Sequence, residues 1–344
     1  MTETKQQVDI SKLSRSREAD WPTVLFFIHI NLLSLYAIWI LFTEAKLLTI
    51  LFLITLTLLA TLGVTVGAHR LWAHATYKAS TELRIALMLF QTLVGQGSIY
   101  DWVQHHRLHH AHFKTDGDPY DHRKGFIFAH FLTRLRKLSD YQIALKNSID
   151  MSDLEQDSVV MFQKRFSKYI YYNIKQKIGV LYRFYWVLYG VLFILLPLNA
   201  PLEYWDDGIL SAIFVIGFLR YCLVLHASWL VESGVALWGL KEGEKYPPDS
   251  NIVFLLNRTF WPHYHYIYPR DYKSGEYGSY GSGCSTAFIK IFAAVGLATD
   301  LTTLEPHTLQ VAMAVAAKTK RPIRECIEEA IKEQVLAEDH FLKK

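Results

Sequence analysis

From Val24 to Thr43 the chain reads "VLFFIHINLLSLYAIWILFT", and from Leu47 to Ala68 "LLTILFLITLTLLATLGVTVGA", with no Asp, Glu, Lys or Arg in either stretch. Each is long enough, as a helix, to cross roughly 30 Å of hydrocarbon. Only "EAK" separates them, which predicts a tight helical hairpin. A second, less pure pair follows at about 179–199, with Arg183 near its start, and about 209–231, with Arg220 inside; "APLEYWDDG" joins the two. The pattern predicts an all-α membrane protein, with four transmembrane helices in two hairpins.

About 110 residues separate the hairpins, too many for a loop without structure of its own, so they predict a helical cap. Within them "ELRIALMLFQTLVGQGSIYDW" is apolar but short for a crossing, and reads as a helix that lies in the interface or re-enters it. The stretch 140–177 reads as mostly helical, with Ser152 or Asp153 as N-caps. After "LTTLEPHTLQ" the chain reads as a polar, amphipathic helical end. The expected organisation is a tail over 1–22, a main domain over 23–310 and a C-terminal helical tail over 311–344.

Charge orients this arrangement. Lys5, Lys12, Arg15 and Arg17 precede the first span and Lys and Arg are frequent from Arg70 to Lys177, whereas the two short loops hold one lysine and four acids. Positive-inside bias then puts both termini and the helical cap in the cytosol. The start "MTETKQQVDISKLSRSREAD" lacks the order of a signal peptide. A formal charge of +4 is too mild to argue for nucleic acid, and three dispersed cysteines indicate neither a disulfide framework nor a cysteine metal site.

The fifteen histidines carry the candidate chemistry. "HRLWAH" places His69 and His74 at the cytosolic end of the second span, and "HHRLHH" gives His106, His109 and His110, which a helix presents on one face. His265 follows the fourth span, inside "WPHYHYIYPRDY". Neutral imidazoles suit iron, zinc and copper, and several on rigid helices can hold two ions close together. Two irons activate dioxygen strongly enough to attack an unactivated methylene, which no side chain does unaided. His29, His112, His122, His130, His226, His307 and His340 fit no such box.

These stretches resemble the membrane acyl-CoA desaturases of the stearoyl-CoA Δ9 type. "GVTVGAHRLWAHATYKAS", "DWVQHHRLHHAHFKTDGDPYDHRKGFIFAH", "LRYCLVLHASWLVESGVALWG" and "YPRDYKSGEYG" carry the likeness in the family's order. The resemblance implies the fatty acid desaturase fold, with a cytosolic cap over the spans and a kinked acyl tunnel. It also implies an endoplasmic reticulum membrane location, a histidine-held di-iron centre, dioxygen, and electrons from a separate cytochrome b5. The reaction implied is a cis double bond, at Δ9, in a saturated fatty acyl-CoA. Arg136 and Lys137 are candidates for the CoA phosphates, and Thr57 with Leu53 for the end of the tunnel.

The chain departs from the family where metal ligands are expected. The family's His-Asn-Tyr-His-His is Pro262-His263-Tyr264-His265-Tyr266 here, and Glu232 and Ala236 replace the Asn and His of the fourth span. His69, His74, His106, His109, His110 and His265 remain, with Glu232 and His263 as substitute ligands. Gln104 and His105 replace an Arg-Asp pair that helps hold CoA, and Arg258, Thr259 and Phe260 replace Gly-Glu-Gly. Three readings stay open: an active desaturase; a silent relative that binds acyl-CoA or an active desaturase; and another di-iron oxidation such as hydroxylation.

Overall fold

The computed structural model describes residues 9–164, 190–238, 260–276, 280, 281 and 283–342, and these are mostly helical. Helix α1 (Trp21–Thr43) is followed across the "EAK" turn by α2 (Leu47–Ala73), and then by α3 (Thr81–Thr92) and α4 (Ile99–Ala111). Next come α5 (Asp140–Asn147), α6 (Ser152–Gln156), α7 (Leu196–Trp205) and α8 (Ser211–Ser233). The chain closes with α9 (Phe260–Ile267), α10 (Cys284–Ala294), α11 (Pro306–Thr319) and α12 (Ile323–Leu342). Strands β1 (Lys78–Ala79) and β2 (Ala298–Thr299) pair antiparallel.

Among the described residues three helices, α1, α2 and α8, are long and apolar enough to cross a bilayer. They mark a helical membrane protein. Of the expected span at 179–199, residues 179–189, including Arg183, lie outside the described residues. The remainder is helical from Gly190 and continues through Pro197 and Pro201 to Trp205.

Two expectations in the cap are corrected. "ELRIALMLFQTLVGQGSIYDW" is two helices, because Gly95 and Gly97 adopt φ of 71° and 90° between them and Ser98 caps the second by accepting from the Asp101 amide at 3.1 Å. Neither Ser152 nor Asp153 is an N-cap. The Ser152 amide donates to Asp150 at 2.9 Å, Asp157 accepts from Val159 and Val160, and Asp153 is held by Arg107 at 2.6 Å.

The chain divides into two compact bodies, Met1–Val64 with Ile85–Glu232, and Thr65–Arg84 with Ser233–Lys344. In the first, α1 packs along α8 around Ala37, Ile40, Leu53, Leu56, Val215, Ile216 and Leu219. Leu32, Leu35, Trp39, Phe42, Leu51 and Ile54 point away and stay exposed, as lipid-facing side chains do. Between helices in lipid, close packing and polar contacts supply the cohesion that water supplies elsewhere. Accordingly Ser34 donates to the Phe218 carbonyl at 3.1 Å, and Asn31 Oδ1 lies 3.2 Å from His226 Nε2. Gly63 lets α2 approach the α3 backbone, since a Cβ there would stand 2.2 Å from the Gln91 amide nitrogen. Arg220, buried within α8, donates to the carbonyls of Ile216, Leu93 and Phe193.

Residues from both short loops meet in this body. Asp207 accepts from the Lys46 amide at 3.0 Å and from the Thr49 hydroxyl, and Trp205 Nε1 donates to Thr49 at 2.7 Å. At the opposite end of α1 the N-terminal segment is tied down. Arg17 donates to the carbonyls of Pro119, Thr133, Arg136 and Lys137, and the Lys137 amide donates to Glu18 at 3.0 Å.

In the second body α9, α11 and α12 enclose Tyr264, Leu309, Met313, Ala316, Cys326 and Ile327. Tyr264 and Tyr280 both donate to Asp271, at 2.8 and 3.0 Å. Helix α11 thus begins at Pro306 and packs within this body through the 310/311 position.

Burial opposes ionisation of Asp207, but the Thr49 hydroxyl and the Lys46 and Gly208 amides outweigh it and hold the carboxyl below its ordinary value. Its stabilisation is therefore full at neutral pH and lost as pH falls below about 4. Asp207→Ala is expected to cost about 1–3 kcal/mol. Unfolding midpoints in detergent should show that loss at pH 7 and a narrower gap from the unsubstituted protein in acid.

Candidate metal centre

From Gly63 to Ala73 the end of α2 widens into a π-helix. In an α-helix, residues five apart point about 140° away from each other. The wider turn closes on the fifth residue, and the His74 amide donates to the His69 carbonyl at 3.2 Å. That brings the two imidazoles together, with ring centres 4.9 Å apart.

His265, from α9, completes a triangle: its ring centre lies 4.8 Å from that of His69 and 4.8 Å from that of His74. One ring nitrogen of each lies within 4.8 Å of the others. His69 and His74 are buried and His265 is half-buried. The Nε2 atoms of His69 and His265 stand 3.1 Å apart. Two nitrogens each about 2.1 Å from one ion stand roughly 3.0–3.4 Å apart at octahedral or tetrahedral angles, so the triangle fits a transition-metal ion.

A carboxylate lies behind this triangle. Glu276 Oε1 is 3.1 Å from His69 Nδ1 and accepts from Arg70 Nε at 2.6 Å, while Oε2 accepts from Ser285 at 2.9 Å. Arg70 is also buried and donates to the carbonyls of Tyr272 and Ser274. Burial alone would raise the Glu276 carboxyl; Arg70 and then His69 override it and hold it well below the ordinary carboxylate range. An ionised Glu276 keeps the proton of His69 on Nδ1 and turns Nε2 toward the other two imidazoles, the arrangement found behind metal-ligating histidines.

In the first body α4 presents His106, His109 and His110, with ring centres 4.7 Å apart for the first and last. Trp102 stacks on His106 at 4.9 Å, and His109 Nδ1 lies 2.7 Å from Asp118, which also accepts from the Tyr120 amide at 2.8 Å. Glu232 is buried at the end of α8. Its Oε2 accepts from Arg134 at 2.6 Å and its Oε1 is 3.9 Å from His106 Nδ1, too far for a hydrogen bond. The Arg134 guanidinium lies 4.3 Å over the Tyr120 ring and donates to its hydroxyl at 3.1 Å. Burial pulls against that charge, but Tyr120 and Glu232 hold Arg134 above its ordinary value.

Arg136 and Lys137 are exposed, and Thr57 is half-buried on α2 with no hydrogen-bond partner for its hydroxyl among the described residues. His105 lies 2.7 Å from Lys146, and Gln104 donates to the Lys146 carbonyl at 3.0 Å. Burial, with Lys146 second, pushes His105 down to about 3. Arg258 and Thr259 lie outside the described residues, as do the side chains of Phe260, Pro262 and His263. The sequence reading missed Glu276, Asp118 and Arg134, whose partners are distant in sequence or carry no box-like spacing.

The chain is 39% identical over 298 residues to an acyl-CoA Delta-9 desaturase of Acheta domesticus, covering 86% of this chain and 78% of that protein. It is 37% identical over 296 residues to an acyl-CoA Delta-12 desaturase of Tribolium castaneum, covering 84% and 77% respectively. With the stearoyl-CoA desaturase of Sus scrofa it shares 36% identity over 283 residues, 81% of this chain and 73% of that one. The chain belongs to the acyl-CoA desaturase family. No family model matches it. The desaturase family consists of oxidoreductases, and the histidine triangle gives this member a cluster able to bind a metal.

Glu276→Gln leaves His69 without its anionic partner and Arg70 without its counter-charge. Metal affinity, measured by chelator competition, should fall about 10–100-fold. The thermal midpoint should also fall, since breaking a buried pair from one side costs about 3–5 kcal/mol.

Proposed function

We propose that the chain binds fatty acyl-CoA within the membrane beside a histidine-held iron centre, and that its reaction is the family's own: inserting a cis double bond, at Δ9, into a saturated fatty acyl-CoA with dioxygen. The observation that carries this reading is the triangle of His69, His74 and His265 backed by Glu276. Imidazoles oriented by a carboxylate suit iron. Bound iron supplies oxygen activation and hydrogen abstraction; the chain supplies position and protonation state. Glu276 fixes the His69 tautomer, and Asp118 does the same for His109. The family resemblance has two irons held jointly with His106, His109 and His110; the triangle accounts for one. The Δ9 position follows the resemblance and the Acheta domesticus Delta-9 relative, while a Tribolium castaneum relative of similar identity is a Delta-12 desaturase.

Exposed Arg136 and Lys137 would meet the CoA phosphates, and Thr57 on α2, whose hydroxyl has no hydrogen-bond partner among the described residues, would stand at the end of the acyl chain. Cytochrome b5 would supply electrons. The Lys and Arg bias favours both termini on the cytosolic side, and the family resemblance favours the endoplasmic reticulum membrane. His263, one residue from Pro262, and Glu232, at the fourth-span position where the family has asparagine, would be the substitute ligands.

A second reading has its own observation. Glu232 is engaged by Arg134, and Ala236, Pro262 and Tyr266 replace histidine ligands, which favours a relative that binds acyl-CoA or an active desaturase without desaturating. Expression in a desaturase-deficient cell followed by lipid analysis separates the two. Desaturation predicts new Δ9 double bonds that disappear with His106→Ala. Acyl-CoA binding without new double bonds selects the second reading.

A further inference from the structure

The family's second iron needs donors from the end of the fourth span and the helix after it. In this chain those positions hold Glu232, Ala236, Pro262 and Tyr266. Alanine and proline side chains carry no ligand atom. Glu232 carries two, but one is occupied: Oε2 accepts from Arg134 at 2.6 Å, with both side chains largely out of solvent at 2% and 17% exposure. The guanidinium is itself fixed over Tyr120 at 4.3 Å and lies 5.6 Å from the Trp229 ring centre. This region therefore keeps one carboxylate oxygen and the Tyr266 phenol where the family has three histidines and an asparagine, a donor set that suits a second ion poorly.

We propose that the Arg134–Glu232 ion pair stands in for the second metal, so that the chain binds one ion rather than two. The proposal rests on the metal-centre reading above and deepens the second of its two readings. A dinuclear site collects anionic and neutral donors around buried positive charge. Here the buried positive charge is covalent, on Arg134, and it neutralises the one carboxylate that the altered fourth span brings. The substitutions then belong together. With the metal-facing histidine replaced by Ala236, Glu232 beside His106 would be a buried unpaired anion, and Arg134 removes that cost. An ion seated on both oxygens of Glu232 would have to displace the guanidinium from its carboxylate, and one seated on Oε1 alone would share that carboxylate with the Arg134 charge.

The test is a metal count on the full chain, purified in detergent and loaded anaerobically with ferrous iron, with helicity checked by circular dichroism. One iron per chain, lost in His69→Ala, is the expected result. Two irons per folded chain would overturn this proposal and leave the metal-centre reading intact. No iron on a folded chain would overturn both. A variant combining Arg134→Met, Glu232→Asn, Ala236→His, Pro262→His and Tyr266→His should rise to two irons if it folds. A count that stayed at one would show that the pair is not what excludes the second ion. The pair is also tested without metal. Arg134→Met alone should lower the unfolding midpoint more than Arg134→Met with Glu232→Gln, and an equal or smaller effect of the single change would overturn the assignment.

Discussion

A carboxylate stays ionised in a buried site where a counter-charge or hydrogen-bond donors meet it, and behind the histidines the Arg70–Glu276 pair meets that condition with both. Arg70 is next to His69 in sequence, so the residue that supplies the counter-charge travels with the imidazole that the carboxylate orients. Both oxygens of Glu276 are engaged, by His69 and Arg70 on one side and by Ser285 on the other. The same guanidinium reaches the carbonyls of Tyr272 and Ser274, which ties the loop carrying Glu276 to the end of α2. Placement of the triangle and stability of its surroundings are thus one problem with one solution.

Much of the membrane architecture was legible because lipid imposes a simple rule: long runs without charge are helices. Spans α1 and α2 follow directly from their composition. Span α8 was legible despite Arg220, whose guanidinium is met by backbone carbonyls. The division between α3 and α4 was less legible, since an apolar run says nothing of the positive φ that Gly95 and Gly97 adopt inside it.

The candidate site was legible in its imidazoles and not in what holds them. His106, His109 and His110 share a face by ordinary helical spacing. His69 and His74 do not, and only the π-turn of α2 makes neighbours of them. Glu276 lies more than two hundred positions from His69, and no local periodicity links them. Arg134 was equally silent, a basic residue among others in a positive segment, until Glu232 appeared beside it.

Tyr264 sits one position before His265, buried among Leu309, Met313, Ala316, Cys326 and Ile327 of the last two helices. The backbone that aims the third imidazole is therefore clamped from behind by the end of the chain. A protease cut or an early stop within α11 would loosen one corner of the triangle without touching any of its three histidines.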